Sequence, residues 1–193
     1  VYKRQLKTGV RRTAPRIRRL NQKAVEVLRA RLISLEDELP RLEDRCRDDS
    51  WARAALDLAH YLFWVDESEA WRWVIARYVE AMAYSRDLRH GLLQVARGWQ
   101  GHLGESGERL LTVLDHQRPD EAILLNVLEQ LNGRGWLDGP YAEERRAILR
   151  MHSAAQLLRH DRLSASLDLF EQVEAGLQED HDLLRQQLAD AYE

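Results

Sequence analysis

Cysteine is almost missing from this 193-residue chain. Cys46 stands alone between Arg45 and Arg47, so an internal disulfide is excluded and a thiolate metal site has no second ligand. Two readings of it stand: a bystander thiol, or one made reactive by the flanking guanidinium groups. Proline is scarce as well, four residues in all, and Val, Ile and Thr are sparse beside Leu, Ala, Arg and Glu. A composition so poor in strand formers and helix breakers predicts an all-α fold. No uninterrupted apolar run approaches the roughly 20 residues of a membrane span, and no apolar segment near the start resembles a signal peptide. A cytoplasmic location is the expectation.

Lysine is absent after Lys23. Residues 1–23 hold nine basic side chains (Lys3, Arg4, Lys7, Arg11, Arg12, Arg16, Arg18, Arg19 and Lys23) and no acid, which leaves 20 basic against 32 acidic residues beyond them. The net charge of −3 thus conceals a cationic arm on an anionic body. Residues 1–16 are expected to be a flexible basic arm, and 17–193 a helical domain. Nucleic-acid backbone, an anionic membrane surface or a neighbouring domain would each suit that arm, which lacks the interleaved aromatics of a base-stacking surface. Val1 to Gln5 resemble a translated sequencing-adapter scar, and Leu188 to Glu193 stop inside a helical pattern without a cap. The chain is therefore expected to be a fragment truncated at both ends.

Apolar residues at Leu20, Ala24, Val27, Leu28, Leu32, Leu35, Leu39, Leu42 and Cys46 recur three or four apart, one stripe of a helix that Pro40 should split near Leu39. The stripe packs within the chain or forms a coiled-coil seam. Asp48-Asp49-Ser50 offers capping oxygens to a helix from Trp51. Its apolar face is Ala54, Ala55, Leu58, Ala59, Leu62 and Phe63. Asp66-Glu67-Ser68 caps a second helix, Glu69 to Tyr84, and the two make an antiparallel hairpin. Further helices are predicted over Leu88 to Trp99, Glu108 to His116, Pro119 to Leu131, Tyr141 to Arg159 and Leu163 to Gly176. The glycines between 98 and 104, and those from 133 to 139, mark the breaks.

The last of these helices carry a period. Ala154 and Ala189 lie thirty-five positions apart, and each is followed three residues later by an apolar side chain, Leu157 and Tyr192. Together with Asp161, Ala165 and Phe170, these residues resemble the tetratricopeptide repeat (TPR), clearest over 151–193. Asp57 to Val74 is a looser match. Asp161 stands where the family usually has glycine before the intra-repeat turn, and the closing proline near Gln178 is missing. The resemblance implies a TPR-like α-solenoid of stacked hairpins, with Ala154, Leu157, Ala165, Phe170, Ala189 and Tyr192 packing between repeats. It also implies protein binding on a concave face without catalysis, as in sensor or assembly segments of larger bacterial regulators.

Seven histidines are present, and no two have the three- or four-residue spacing that brings ligands together on a helix, so neither a metal nor any other cofactor is expected. Carboxylate pairs such as Glu143/Glu144 sit among arginines and read as solvated faces. Gly101-x-x-Gly104-x-x-Gly107 looks like a phosphate loop only superficially, because no strand precedes it and no Lys-Ser/Thr follows. The densest feature is aromatic: Tyr61, Phe63, Trp64, Trp71, Trp73 and Tyr78 fall within eighteen residues. Trp71 and Trp73 are about 200° apart around a helix, so at least one should leave the core. Trp71 and Trp73, with Arg72 and Arg77, are the candidate anchors for a protein or peptide partner. Packing of both indoles between helix pairs is the competing reading. The expected function is non-catalytic protein interaction or scaffolding. The alternative is effector sensing in a bacterial signalling or transcription regulator.

Overall fold

The computed structural model describes residues 15–115 and 121–176, with Leu184 and Gln186 placed singly. Among the described residues there are nine helices and no strand. They are α1 (Pro15–Glu38), α2 (Leu42–Arg47), α3 (Asp49–Val65), α4 (Glu67–Tyr84), α5 (Arg86–Arg97), α6 (Glu105–Asp115), α7 (Glu121–Gly133), α8 (Ala142–Arg159) and α9 (Leu163–Gly176). None of these helices is long and apolar enough to cross a membrane. The basic arm expected over 1–16 falls mostly outside the described residues, although helix α1 already includes Pro15 and Arg16.

The breaks fall where local chemistry puts them. Pro40 ends α1, and the carbonyls stranded there are taken up by Arg45, whose Nε donates to Leu39 O at 2.5 Å and whose Nη2 donates to Glu36 O at 3.0 Å. Asp48 Oδ1 accepts the Trp51 N–H at 2.7 Å, Asp66 Oδ1 that of Glu69 at 3.1 Å, and Ser85 Oγ that of Leu88 at 3.2 Å. Each is a side-chain cap on the next helix. At the α8–α9 turn Asp161 takes φ +56°, a left-handed conformation that Asp tolerates better than most residues and that glycine would occupy without cost.

Helix α1 lies along α3, so its stripe does pack within the chain. Its buried residues, however, are Leu32 and Val25, the latter outside the predicted stripe, whereas Leu20 and Val27 are 58% and 67% exposed. Helices α3, α4 and α5 pack on one another in sequence, as do α7 with α8 and α8 with α9. Helix α4 is the hub. It meets α2, α3, α5 and, across more than sixty residues of chain, α8. That enclosure buries every residue from Val74 to Ala81. A helix covered on all sides needs apolar residues all round or paired charges, and α4 uses both.

In the α8–α9 hairpin, Ala154 is fully buried and its carbonyl accepts the Ser166 hydroxyl at 2.9 Å. Phe170 is buried, Leu157 and Ala165 are half-buried, and the remaining two members of the expected repeat seam, Ala189 and Tyr192, lie outside the described residues.

Candidate functional site

The four candidate anchors do not form one site. Trp73 turns toward α3, where its Nε1 donates to Ala55 O at 3.2 Å. Arg77 sits 4.7 Å above its ring and 5.6 Å from that of Trp51. Expected as an accessible partner for ligands, Arg77 is instead buried and bound to Glu80, Nη1 to Oε2 at 2.8 Å. The reason is the enclosure of α4: a carboxylate as deeply buried as Glu80, 0% exposed, requires cationic neighbours, and Arg77 is one turn away.

The second cation comes from far along the chain. Arg145 of α8, itself buried, donates from Nε to Glu80 Oε1 at 2.7 Å and from Nη1 to Leu137 O at 3.0 Å. One turn further, Tyr84 OH donates to Glu144 Oε1 at 2.6 Å. Burial, reinforced by that bond to the carboxylate, holds the Tyr84 phenol in its protonated form well above the usual range. Cys46 is buried beside this cluster, and desolvation first, then the Glu80 charge, push its thiol upward. The two flanking arginines do not activate it: the thiolate is the reactive form, and burial disfavours it. Sequence reasoning missed Glu80 and Arg145, and it read Glu144 as part of a solvated pair, whereas Glu144 is buried because α8 packs it against Tyr84 of α4; only the Arg77–Glu80 spacing of three residues hinted at a pair.

Trp71 and Arg72 face elsewhere. Between the start of α4, helices α6 and α7 and the turn after α7 lies a half-open groove of about 770 Å³. Its apolar lining is Trp71, Leu110, Val113, Val127, Leu131 and Trp136, with Glu67, Arg109 and Arg134 among its polar groups. The indole N–H of Trp71 is buried and has no hydrogen-bond partner. Arg72 lies over the Trp136 ring, 6.0 Å from its centroid. Behind the groove an unbroken chain of rings runs inward: Trp71 meets Phe63 edge-on at 5.4 Å, Phe63 stacks on Trp99 at 5.8 Å, and Trp99 meets Trp64 edge-on at 4.9 Å.

The glycine run singled out in the sequence shapes this groove. Gly101 has φ +74°, and the Gly104 N–H donates to both carboxylate oxygens of Glu67, at 2.9 and 3.1 Å. Gly107 lets α6 approach α4: a Cβ there would lie 2.7 Å from Trp71 Nε1 and closer still to Glu67 Oε1. Gly107→Ala is expected to lower stability by about 1 kcal/mol in thermal melts, crowding here outweighing the gain of about 1 kcal/mol that alanine brings to an open helix. Gly133→Ala, where nothing stands within 4 Å, is the control and should not destabilise.

Among the described residues no three His, Cys, Asp or Glu side chains are grouped to hold a metal ion. No family model, curated protein or solved structure matches the chain. What the molecule offers is therefore its own geometry: a half-open, largely apolar groove beside an unanswered donor, and a buried charge cluster whose bonds are spent on holding α4 to α8.

Proposed function

We propose that this chain is a non-catalytic, TPR-like protein-interaction region, and that the groove floored by Trp71 receives the apolar face of a partner segment. The observation that carries the reading is the buried, unpartnered Trp71 N–H within an open apolar groove. Buried donors are nearly always satisfied, and this one, closed off beside Gly107, gains an acceptor where a ligand entering the groove shifts that contact. A polypeptide supplies such acceptors along its backbone, and tryptophan and arginine dominate the hot spots of protein interfaces. Arg109 and Arg134 at the groove, and Arg72 against Trp136, provide them at its rim. The buried Ala154 crossing and the Asp161 turn support the TPR-like pairing of α8 with α9. Membership of a larger bacterial, cytoplasmic regulatory or assembly protein belongs to the same reading and rests on the family resemblance.

A peptide selected on the protein from a displayed library should bind the wild type and lose roughly tenfold or more in affinity with Trp136→Ala or Val113→Glu. Leu163→Glu, on the exposed face of α9, should leave it unchanged. Peptides indifferent to both groove variants would overturn the assignment. The effector-sensing alternative draws on one observation, a groove volume within the range of small-molecule sites. It predicts a melting shift with a small apolar ligand in the absence of any peptide.

A further inference from the structure

A second cavity, of about 470 Å³, lies between α4, α5, α7, α8 and the end of α6 and shares no lining residue with the groove. Its walls divide by chemistry. Met82, Leu93, Leu114 and Leu124 make an apolar side. The polar side holds Tyr78, Arg86, Arg89, His90 and His152, with one carboxylate, Glu121, already bridged by Arg159. Neither Arg86 nor Arg89 forms an ion pair among the described residues, whose share of the wall sets two guanidinium groups against one carboxylate that Arg159 already bridges. His152 Nε2 is buried there without a partner, while the ring hydrogen-bonds the Met82 backbone.

We propose that this cavity binds a small organic oxyanion, a carboxylate or phosphate on a compact apolar body, with Arg86 and Arg89 holding the charged group and His152 Nε2 completing its shell. The size is that of small-ligand sites, and the wall is divided as an amphiphilic anion requires. Arginine's planar fork suits both head groups, pairing two N–H donors with two oxygens. The other end of the ligand covers Met82, Leu93, Leu114 and Leu124.

Binding carries a proton with it. His152 is held below its usual range, chiefly by burial, so the empty site holds a neutral ring whose bare Nε2 is an acceptor. The groups that face it are Tyr78 and the Met82 backbone from α4, Arg86, Arg89 and His90 from α5, and Glu121 from α7, with Arg159 on its own helix. Arg89 and Arg159 oppose its protonation and Glu121 favours it. An anion arriving beside the ring adds a negative charge and tips this balance, so protonation and binding reinforce one another.

The test uses benzoate and phenyl phosphate as probes and benzyl alcohol as the uncharged control, titrated by calorimetry into the intact chain. At least one anion should bind and benzyl alcohol should not; which anion binds identifies the head group. Arg86→Gln and Arg89→Gln, each checked for an unchanged melting transition, should weaken binding by roughly tenfold. Affinity should rise several-fold from about pH 8 to about pH 6, and His152→Gln should flatten that profile. Because Arg86 is exposed, its variant keeps the test valid even where replacement of the more enclosed Arg89 disturbs folding. Equal binding of benzyl alcohol, no binding of either anion at millimolar concentration, or affinity unchanged in Arg86→Gln would overturn the proposal.

Discussion

Glu80→Gln should cost about 3–5 kcal/mol of folding stability, the range found when one member of a buried ion cluster is neutralised. The wild-type carboxylate is 0% exposed and its two oxygens are divided between Arg77 and Arg145. Removing its charge strands two guanidinium groups inside the fold, and the Nε of Arg77 already lacks a partner. Urea titration is the measurement: the midpoint should fall while the slope stays constant, since the surface exposed on unfolding hardly changes. Replacing all three members by apolar residues of similar volume (Glu80→Leu, Arg77→Met, Arg145→Met) should recover most of the loss, because desolvating the ions offsets much of their attraction. A single variant within about 1 kcal/mol of wild type would show that the cluster does not hold α4 against α8.

Trp99→Ala should be comparably damaging, about 3–5 kcal/mol, although Trp99 belongs to no helix. The residue follows α5 in the turn before α6 and is fully buried. Its indole touches His60, Phe63 and Trp64, all on α3, at centroid distances of 5.8, 5.8 and 4.9 Å. It is thus the plug by which a loop seals the far end of the α3–α4 hairpin. Trp99→Phe keeps a ring but removes about a third of the ring atoms, so its loss should be smaller, and the difference between the two variants in chemical denaturation measures how much the ring contacts contribute. Because Phe63 connects Trp99 to Trp71, the alanine variant should also weaken any groove ligand more than the phenylalanine one does.

Much of this architecture was legible in the chain because its signals are local. Pro40, Asp48 and Asp66 act on backbone groups within a few residues, and the helices begin and end beside them, whereas the Ser85 cap went unread and the next helix starts at Arg86, ahead of the expected Leu88. The hairpin face of α3 was equally readable, since Ala54, Leu58, Leu62 and Phe63 repeat at the helical period and are all buried. The errors share one cause. Val25, outside the predicted stripe, is buried while Leu20 and Val27 within it are exposed, because α3 covers a face of α1 rotated from the centre of that stripe. Arg77 looked like an exposed anchor because the enclosing partner of α4 is a helix sixty-five residues away in sequence. Periodicity records which face is apolar; it carries no mark of the distant carboxylate or guanidinium that makes a charged residue interior. The groove likewise needed α6 and α7 to be placed before Trp71 could be separated from Trp73.

The seam at Pro40 reaches further than a helix end. Tyr141, held at φ +63° just before α8, donates its hydroxyl to Pro40 O at 2.7 Å, and Arg45 covers its ring at 4.8 Å. A position that interrupts one helix thereby becomes the mooring for another, a hundred residues on. The early and late portions of the polypeptide consequently share fate: loosening α8 uncovers Glu80 and the interrupted end of α1 together, so a piece cut between α7 and α8 forfeits the ionic heart of its own first half.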